Sequence, residues 1–278
     1  MPKSLNQYKN DHIGMAANES RASIMRIYRQ SVCYPKANIE LLFDVIIERL
    51  ASEEPDEYRL LYSCGDFFID GHAPESFIDK LSISVSQAFY PLDLSINRKN
   101  GTIQINNSQE IIERWETKKK ELLQENAGEY LLTYISQMDT ILRDVNAMQS
   151  AIEKNFIFIN LFVIPLSIDS PVYCLKMSQL HIPSGQYGER LLFNGKFMLE
   201  EEENEDSTLL SFDGRAARYS ITSDGSPHKD NFRAKVSYFI SSEMKTIDDI
   251  YADTYLLSED EGGKESLFQS IRIHYLRN

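Results

Sequence analysis

The chain has 278 residues, of which 42% are apolar and 26% charged, and it carries a formal net charge of −13 at neutral pH. These values are typical of a globular protein and exclude collagen-like, low-complexity and disordered classes. The negative charge also argues against nucleic acid or anionic lipid as a partner of the bulk surface.

A basic arm at the N-terminus contrasts with this acidic background. Residues 1–36 hold six basic and two acidic residues, a net charge of +4, whereas the rest of the chain carries −17. We expect the arm to dock on an acidic surface of a partner or of a neighbouring subunit, and charge screening predicts that salt weakens this docking. The alternative is a leader without fixed structure, or an arm that folds back on its own body.

Two helices are predicted first along the chain. Ser20 is a candidate cap for a short helix that ends near Ser31, and Asn38 is a candidate cap for a stronger helix over Ile39–Ala51. The second helix has an apolar stripe at helical spacing, formed by Leu42, Phe43, Ile46, Ile47 and Leu50.

Strands are predicted next. Tyr58–Ile69 is rich in strand-forming residues, and Leu81–Phe89 alternates apolar residues with serines, a period of two that is typical of a half-buried strand. Asn100-Gly101 then lies between two alternating runs, which indicates a β-hairpin. A two-residue loop pairs Arg98 with Ile103 and Ile96 with Ile105, and it places these isoleucines on one face with Leu94.

A helical region follows the hairpin. Asn107 with Glu110 is typical of a capped helix start, and the first helix is predicted to end near Glu125. A heptad seam then predicts a helix of about 25 residues, roughly 37 Å long. The seam residues are Ala127, Leu131, Tyr134, Met138, Ile141, Val145, Met148 and Ile152. This seam packs either against the protein's own sheet or against a partner helix.

From Phe156 onward the pattern predicts almost only strands. Alternating runs over Phe232–Ile240 and Leu267–Tyr275 indicate half-buried strands of an antiparallel meander. The expected tight turns are Asp70-Gly71, Asn194-Gly195, Asp213-Gly214 and Asp224-Gly225. Two acidic segments, 200–206 and 258–264, are predicted loops.

We therefore expect an α+β fold in which a mainly antiparallel, curved sheet packs on a long central helix or helix pair. Short helices precede it at the N-terminus. The predicted regions are the basic arm 1–36, a region of helices and antiparallel strands over 37–155, and a β-rich region over 156–278 that shares the same core.

The segment YPLDLSINRKNGTIQINNSQEIIERWETKKKELL, Tyr90–Leu123, resembles a recurring pattern in uncharacterised bacterial proteins. In that pattern a hairpin with a glycine turn precedes an asparagine, an acidic residue, an isoleucine and an Arg-Trp pair. The resemblance extends to the terminal strand at Ile271–Leu276, and it implies no activity and no catalytic residues.

Motifs for enzymatic chemistry are absent from the sequence. There is no HExxH, CxxC, GxGxxG, P-loop or GxSxG motif, which lowers the expectation of a zinc protease, a nucleotide enzyme or a serine hydrolase. The fragments Asp66–His72 and Glu243–Lys245 are possible metal sites, but ordinary turns explain both better. Lysines beside Trp115 interleave with glutamates and predict a solvated, salt-bridged helix face. We expect no metal and no cofactor.

The three cysteines and the N-terminal residues bear on location. Cys33, Cys64 and Cys174 lie far apart and predict apolar filling rather than disulfides, as in a reducing compartment. Residues 1–19 have no apolar core of a signal peptide, and no apolar run reaches the length of about 20 residues that a membrane helix needs. The expected location is cytoplasmic, without a membrane partner.

The function that these features favour is binding of another protein without catalysis, as in an adaptor, an inhibitor or immunity protein, or a subunit of an assembly. Self-association stays open. The alternatives are a carrier of an apolar ligand in a cavity between sheet and helix, and a metal-dependent hydrolase. The candidate partner-binding residues are Arg21, Arg26, Arg29, Lys36, Glu200, Glu201, Glu202 and Glu203.

Overall fold

The computed structural model describes most of the chain. The described residues are 24–52, 54, 57–97, 102–125, 128–142, 144–155, 179–184, 189–201, 207–221, 227–241, 246–258 and 264–276. The strands are β1 Ile24–Tyr34, β2 Ile39–Leu50, β3 Glu57–Ile69, β4 Leu92–Asn97, β5 Ile103–Ile105, β6 Gln179–Ser184, β7 Glu189–Glu201, β8 Ser207–Ile221, β9 Pro227–Ser241, β10 Thr246–Leu257 and β11 Glu265–Tyr275. The helices are α1 Phe77–Phe89, α2 Ser108–Glu125, α3 Glu129–Leu142 and α4 Val145–Asn155.

The chain divides into two compact units. Unit 1 comprises Met1–Tyr28 and Phe43–Glu153, and unit 2 comprises Arg29–Leu42 and Lys154–Asn278. The hydrogen-bonded strand order of unit 1 is β5-β4-β3-β2-β1, and that of unit 2 is β2-β1-β11-β10-β9-β8-β7-β6. The predicted regions 1–36, 37–155 and 156–278 stay predictions.

The expectation of a sheet packed on a long central helix is wrong. The described residues form eleven strands of antiparallel sheet and four short helices. In place of the predicted helix of about 25 residues there are two helices, α3 and α4. Their buried residues do not keep the heptad spacing. Tyr134 and Ile141 are only half-buried and Val145 is 47% exposed, whereas Ile135 and Leu142, outside the seam, are buried.

The two predicted N-terminal helices are also wrong, because both segments are strands. The predicted helix cap Asn38 instead has a positive φ of 52° and lies in the turn between β1 and β2, where Ala37 N–H donates to the Tyr34 carbonyl at 3.0 Å. Four consecutive residues of β2, Asp44–Ile47, are buried. Such a run satisfies a helical and a strand pattern alike, and its β-branched residues decide for the strand.

The predicted strand over Leu81–Phe89 is helix α1. Ser76 caps this helix, because its Oγ accepts a hydrogen bond from the Asp79 N–H at 3.1 Å. Leu81, Val85 and Ala88 are buried at helical spacing. The serines between them make the sequence alternate between apolar and polar residues, but the buried residues do not follow this alternation.

The hairpin of β4 and β5 is confirmed, but its predicted register is wrong by two residues. Ile96 pairs with Ile103 and Leu94 pairs with Ile105. Because a strand repeats every two residues, this shift leaves each side chain on its predicted face. All four residues are buried. The Asn100-Gly101 turn itself lies outside the described residues.

Helix α2 is confirmed over Ser108–Glu125, and its Trp115 is fully buried. The predicted salt-bridged face is confirmed by the ion pairs Glu110–Arg114 and Lys118–Glu121. Trp115 Nε1 donates to Asp139 Oδ1 at 2.7 Å, and Lys119 Nζ binds the other oxygen of that carboxylate at 2.5 Å. Arg114 donates to the backbone carbonyls at the end of α1, those of Ala88 at 3.0 Å and Phe89 at 3.2 Å. The Arg-Trp pair therefore joins three helices of unit 1.

The core of unit 2 follows the predicted alternation of its strands. On β9 the buried residues are Phe232, Ala234, Val236 and Tyr238, as the sequence pattern predicts. Phe197 contacts Phe212 with a ring-centroid distance of 4.8 Å, and Phe232 contacts Phe268 at 5.4 Å. These aromatic contacts fill the inner side of the sheet.

Of the predicted glycine turns, Asp70-Gly71 is confirmed and two are wrong. Asp70 and Gly71 both have positive φ, and Ile69 and His72 exchange two backbone hydrogen bonds of 2.9 Å across the turn. Gly195 and Gly214 instead pair directly inside β7 and β8. A Cβ added at Gly195 would overlap the Asp213 carbonyl, so this position requires glycine for close approach of the two backbones. Asp224-Gly225 lies outside the described residues.

Substitution of this paired glycine tests the close approach. We expect Gly195→Ala to lower the free energy of unfolding by about 1–3 kcal/mol, because the backbones of β7 and β8 must separate to admit the methyl group. Gly65→Ala is the matched control in another strand, where an added Cβ lies 3.4 Å from Asp44 Cβ, an ordinary contact. Denaturant unfolding measures both variants, and equal stability of the two would contradict the close approach.

Candidate functional site: a polar cleft along strand β5

A cleft of about 680 Å³ in unit 1 follows strand β5 and faces the start of α4. We call it the β5 cleft. Its lining residues are Glu54, Glu57, Ser95, Asn97, Thr102, Ile103, Gln104, Ile105, Val145, Asn146 and Gln149. The described lining thus contains two carboxylates and several amides, but no lysine, arginine or histidine.

The register of β4 and β5 determines which backbone groups face the cleft. Asn97 N–H donates to the Thr102 carbonyl at 2.9 Å, and Asn106 N–H donates to the Asp93 carbonyl at 2.8 Å. Because hydrogen-bonded pairs alternate in an antiparallel ladder, the backbone groups of Ile103 and Ile105 point away from β4. No described strand lies on that side, since β5 is the last strand in the order of unit 1.

One side chain already occupies part of this open edge. Gln149 of α4 donates from Nε2 to the Ile103 carbonyl at 2.5 Å. The carbonyl of Ile103 points away from β4, as the register requires. Gln149 therefore supplies the hydrogen bond that a neighbouring strand would otherwise give.

A hydrogen-bonded network on the polar face of β3 and β4 holds Glu57 in place. Arg59 binds the Asp93 carboxylate with two hydrogen bonds, from Nε at 2.9 Å and from Nη2 at 2.6 Å. Asn106 Nδ2 donates to Asp93 Oδ1 at 2.9 Å and to Ser95 Oγ at 2.8 Å. Ser95 Oγ in turn donates to Glu57 Oε1 at 2.7 Å. The only cation of this network is therefore paired with Asp93, and Glu57 receives only hydroxyl donors.

This pairing lowers the pKa of the Asp93 carboxyl. Burial by itself raises that pKa, but the hydrogen bonds from Arg59 and Asn106 and the charge of Arg59 outweigh it. Ionised Asp93 is consequently the form that the folded protein favours. Asp93 and its neighbour Asn107, which accepts from the Asp93 N–H at 3.0 Å, fix the end of β4 beside the cleft.

The pH dependence of stability tests this network. A carboxyl with a lowered folded-state pKa stabilises the protein above its unfolded pKa of about 3.9, and that contribution is lost as pH falls through the folded value. We expect Asp93→Asn to cost about 1–2 kcal/mol at pH 7, a value reduced by the partial exposure of Arg59. The difference from wild type should shrink as the pH falls below the unfolded value. Denaturant titrations at each pH measure it, and a constant difference would contradict the assignment.

Neither carboxylate of the β5 cleft forms an ion pair within the described part of the chain. Glu54 is exposed, and the Ser52 Oγ accepts from its backbone N–H at 3.2 Å. Glu57 is half-buried and bonds to Ser95 and, at 3.5 Å, to Ser52. At the start of α4, Asp144 Oδ1 accepts from the Asn146 N–H at 2.9 Å. The described lining of the cleft therefore carries a net negative charge.

The outer face of unit 2 gives a contrasting arrangement, a charge ladder in which acids and bases are matched. Its members are Asp213, Arg233, Lys235, Asp249, Asp253, Glu265, Arg272 and His274. Arg233 binds Asp213 and Glu265, and its hydrogen bonds hold the pKa of both carboxyls below their usual values. Arg272 binds Asp253 at 2.7 Å and lies over the ring of Tyr251. These contacts pair acids with bases across strands of the sheet.

Only some of the predicted partner-binding residues lie in the part of the chain that the structure describes. Arg26 is buried in β1, Arg29 is exposed in the same strand, and Lys36 is exposed in the turn after it. Glu200 and Glu201 pair with Leu209 and Thr208 at the end of β7, so the predicted acidic loop begins later than expected. Arg21, Glu202 and Glu203 lie outside the described residues. Their role in partner binding stays a prediction.

The two alternative functions stay predictions. The described residues contain no group of three or more His, Cys, Asp or Glu side chains that could hold a metal ion. The fragment Asp66–His72 lies within the described part of the chain, whereas Glu243–Lys245 lies outside it. Among the described helices, none has the length and hydrophobicity to cross a membrane.

The cysteine chemistry agrees with a structural role for Cys64. Burial, with smaller effects from the charges of Asp44 and Asp66, raises the pKa of its thiol to about 12. The thiolate, which is the nucleophilic form, is therefore scarce at neutral pH. Cys33 is half-buried in β1, and Cys174 lies outside the described residues.

Thiol labelling tests this assignment. We expect Cys64 in the folded protein to react with a maleimide at pH 8 more than about 100-fold more slowly than free cysteine, and to react normally after unfolding. Peptide mapping by mass spectrometry separates Cys64 from Cys33 and Cys174. Rapid modification of Cys64 in the native protein would contradict its half-buried, protonated state.

No protein-family model matches this chain, and no curated protein matches it significantly.

Sequence reasoning missed the β5 cleft for a physical reason. Ile103 and Gln149 are separated by 46 positions, and Glu54 and Glu57 are two of 42 acidic residues without a distinguishing motif. The available signal was the hairpin, because a short strand at the end of a sheet leaves backbone groups open.

Proposed function

We propose that the protein binds another protein and receives a basic segment of that partner in the β5 cleft. The observation that carries this proposal is the pair of carboxylates, Glu54 and Glu57, beside an edge of β5 on which no described strand lies; among the described residues neither carboxylate forms an ion pair. In this proposal, a lysine or arginine side chain of the partner enters the cleft.

Electrostatics supports a cationic partner. The chain carries a net charge of −13, which draws a basic partner from a distance, and the cleft then concentrates that attraction at two defined carboxylates. Ser95 donates to Oε1 of Glu57, so this carboxylate is already oriented before a ligand arrives. A positioned acceptor loses less conformational entropy on binding than a free side chain.

The amides of the cleft add directional recognition. Gln104 and Asn146 offer both donors and acceptors along the same groove, and they suit the backbone of a peptide or the guanidinium of an arginine. Val145 borders the groove and is 47% exposed, so an aliphatic side chain of the partner would gain cover there. This mixture of charge, amides and one apolar contact favours a peptide over a simple cation.

Neutralising the cleft tests the proposal. The probe is a seven-residue peptide of alternating lysine and valine, acetylated and amidated at its ends, and fluorescence anisotropy with the full-length protein measures its affinity. We expect Glu54→Gln with Glu57→Gln to weaken binding at least about fivefold at 50 mM NaCl, because two charge pairs are lost. Raising the salt to 500 mM should weaken wild-type binding and reduce this difference.

The matched control removes the same charge elsewhere in unit 1. Glu125→Gln with Glu129→Gln alters two exposed carboxylates at the end of α2 and the start of α3, outside the cleft lining. This pair should change the affinity less than twofold. Equal weakening by both pairs of substitutions, or no binding of the peptide at millimolar concentration, would contradict the proposal.

A further inference from the structure

We infer that the partner segment binds as an added β-strand along the edge of β5 on which no described strand lies, an inference that rests on the proposed function and specifies how the β5 cleft is used. The edge has the required backbone groups. The pairing of Ile96 with Ile103 and of Leu94 with Ile105 turns the N–H and C=O groups of both β5 isoleucines away from β4. An extended peptide satisfies such groups by continuing the ladder.

Gln149 occupies part of the position that an added strand would take. Its Nε2 lies 2.5 Å from the Ile103 carbonyl, where the N–H of an added strand would lie. The side chain thereby satisfies one acceptor of the edge in the free protein. In the complex the peptide backbone replaces this contact, and the displaced amide stays available to the peptide at the wall of the cleft.

The charges of the cleft fit an added strand in which cationic and apolar residues alternate. Ser95 and Gln104 are direct partners across β4 and β5, so they share the polar face. Glu57 reaches over β4 on that face, because it accepts from Ser95 Oγ at 2.7 Å. Two strand spacings, about 9.6 Å, separate β4 from an added strand, and a lysine side chain of about 6 Å covers most of that distance toward the carboxylate.

The length of β5 limits the contact. With three residues it offers backbone pairing at Ile103 and Ile105 only, so the segment needs no more than about five residues in extended form. Short edge strands resist pairing between copies of the same chain, and the carboxylates beside this edge select against acidic segments. The cleft therefore combines a weak backbone template with charge selection, and it suits reversible binding of a basic extended segment.

The experiment compares two peptides of equal charge on the full-length protein. One is the lysine–valine peptide described above, and the other carries methyl groups on the backbone nitrogens of its three central residues, which removes the strand-forming donors. We expect methylation to weaken binding at least about tenfold. Amide hydrogen exchange followed by NMR should show slower exchange at Ile103 and Ile105 when the unmethylated peptide is bound.

The outcomes separate this inference from the function on which it rests. Binding that depends on Glu54 and Glu57 but is indifferent to backbone methylation would overturn strand addition and leave the proposed function standing. Absence of charge-dependent binding would overturn both. Gln149→Ala gives a second readout, because removal of the competing side chain should tighten binding of the unmethylated peptide about three- to tenfold. Weaker binding to this variant would also overturn the strand-addition mode.

Discussion

The register of β4 against β5 is the constraint on which the account of unit 1 depends. It places Leu94 and Ile96 in the core opposite Ile105 and Ile103, and it places Ser95 and Gln104 on the polar face. The same register turns the backbone groups of both β5 isoleucines toward the cleft. A shift by one residue would bury the polar pair and expose the apolar pairs, so burial of the isoleucines fixes the edge that the cleft presents.

The distribution of cations explains why this cleft differs from the charge ladder of unit 2. On the outer face of unit 2 the acids of the charge ladder have basic neighbours, as Arg233 shows by binding both Asp213 and Glu265. In unit 1 the network behind the cleft has a single cation, Arg59, and Asp93 binds it with two hydrogen bonds. Within this network Glu57 has no cationic partner, because Arg59 binds Asp93 instead.

The sequence predicts a segment correctly when its apolar residues fit either the helical period or the strand period, but not both. The patterns of β3, β9, the β4–β5 hairpin and helix α2 are each unambiguous, and these elements are confirmed, although the register of the hairpin is wrong by two residues. Ile39–Leu50 fits both periods, and the serines of α1 imitate a strand, so those predictions are wrong. The glycines Gly195 and Gly214 follow Asn and Asp as turn glycines do, but their pairing across β7 and β8 depends on tertiary contact.

The cleft could not be predicted in this way, because the residues that line it are far apart in the sequence and come together only in the folded protein. NMR titration of the isotope-labelled protein with the lysine–valine peptide tests the central claim most directly. The account predicts that the largest changes in amide chemical shift fall on Ile103, Gln104, Asn146 and the side chain of Gln149. Changes confined to the charge ladder of unit 2, or no changes at millimolar peptide, would contradict it.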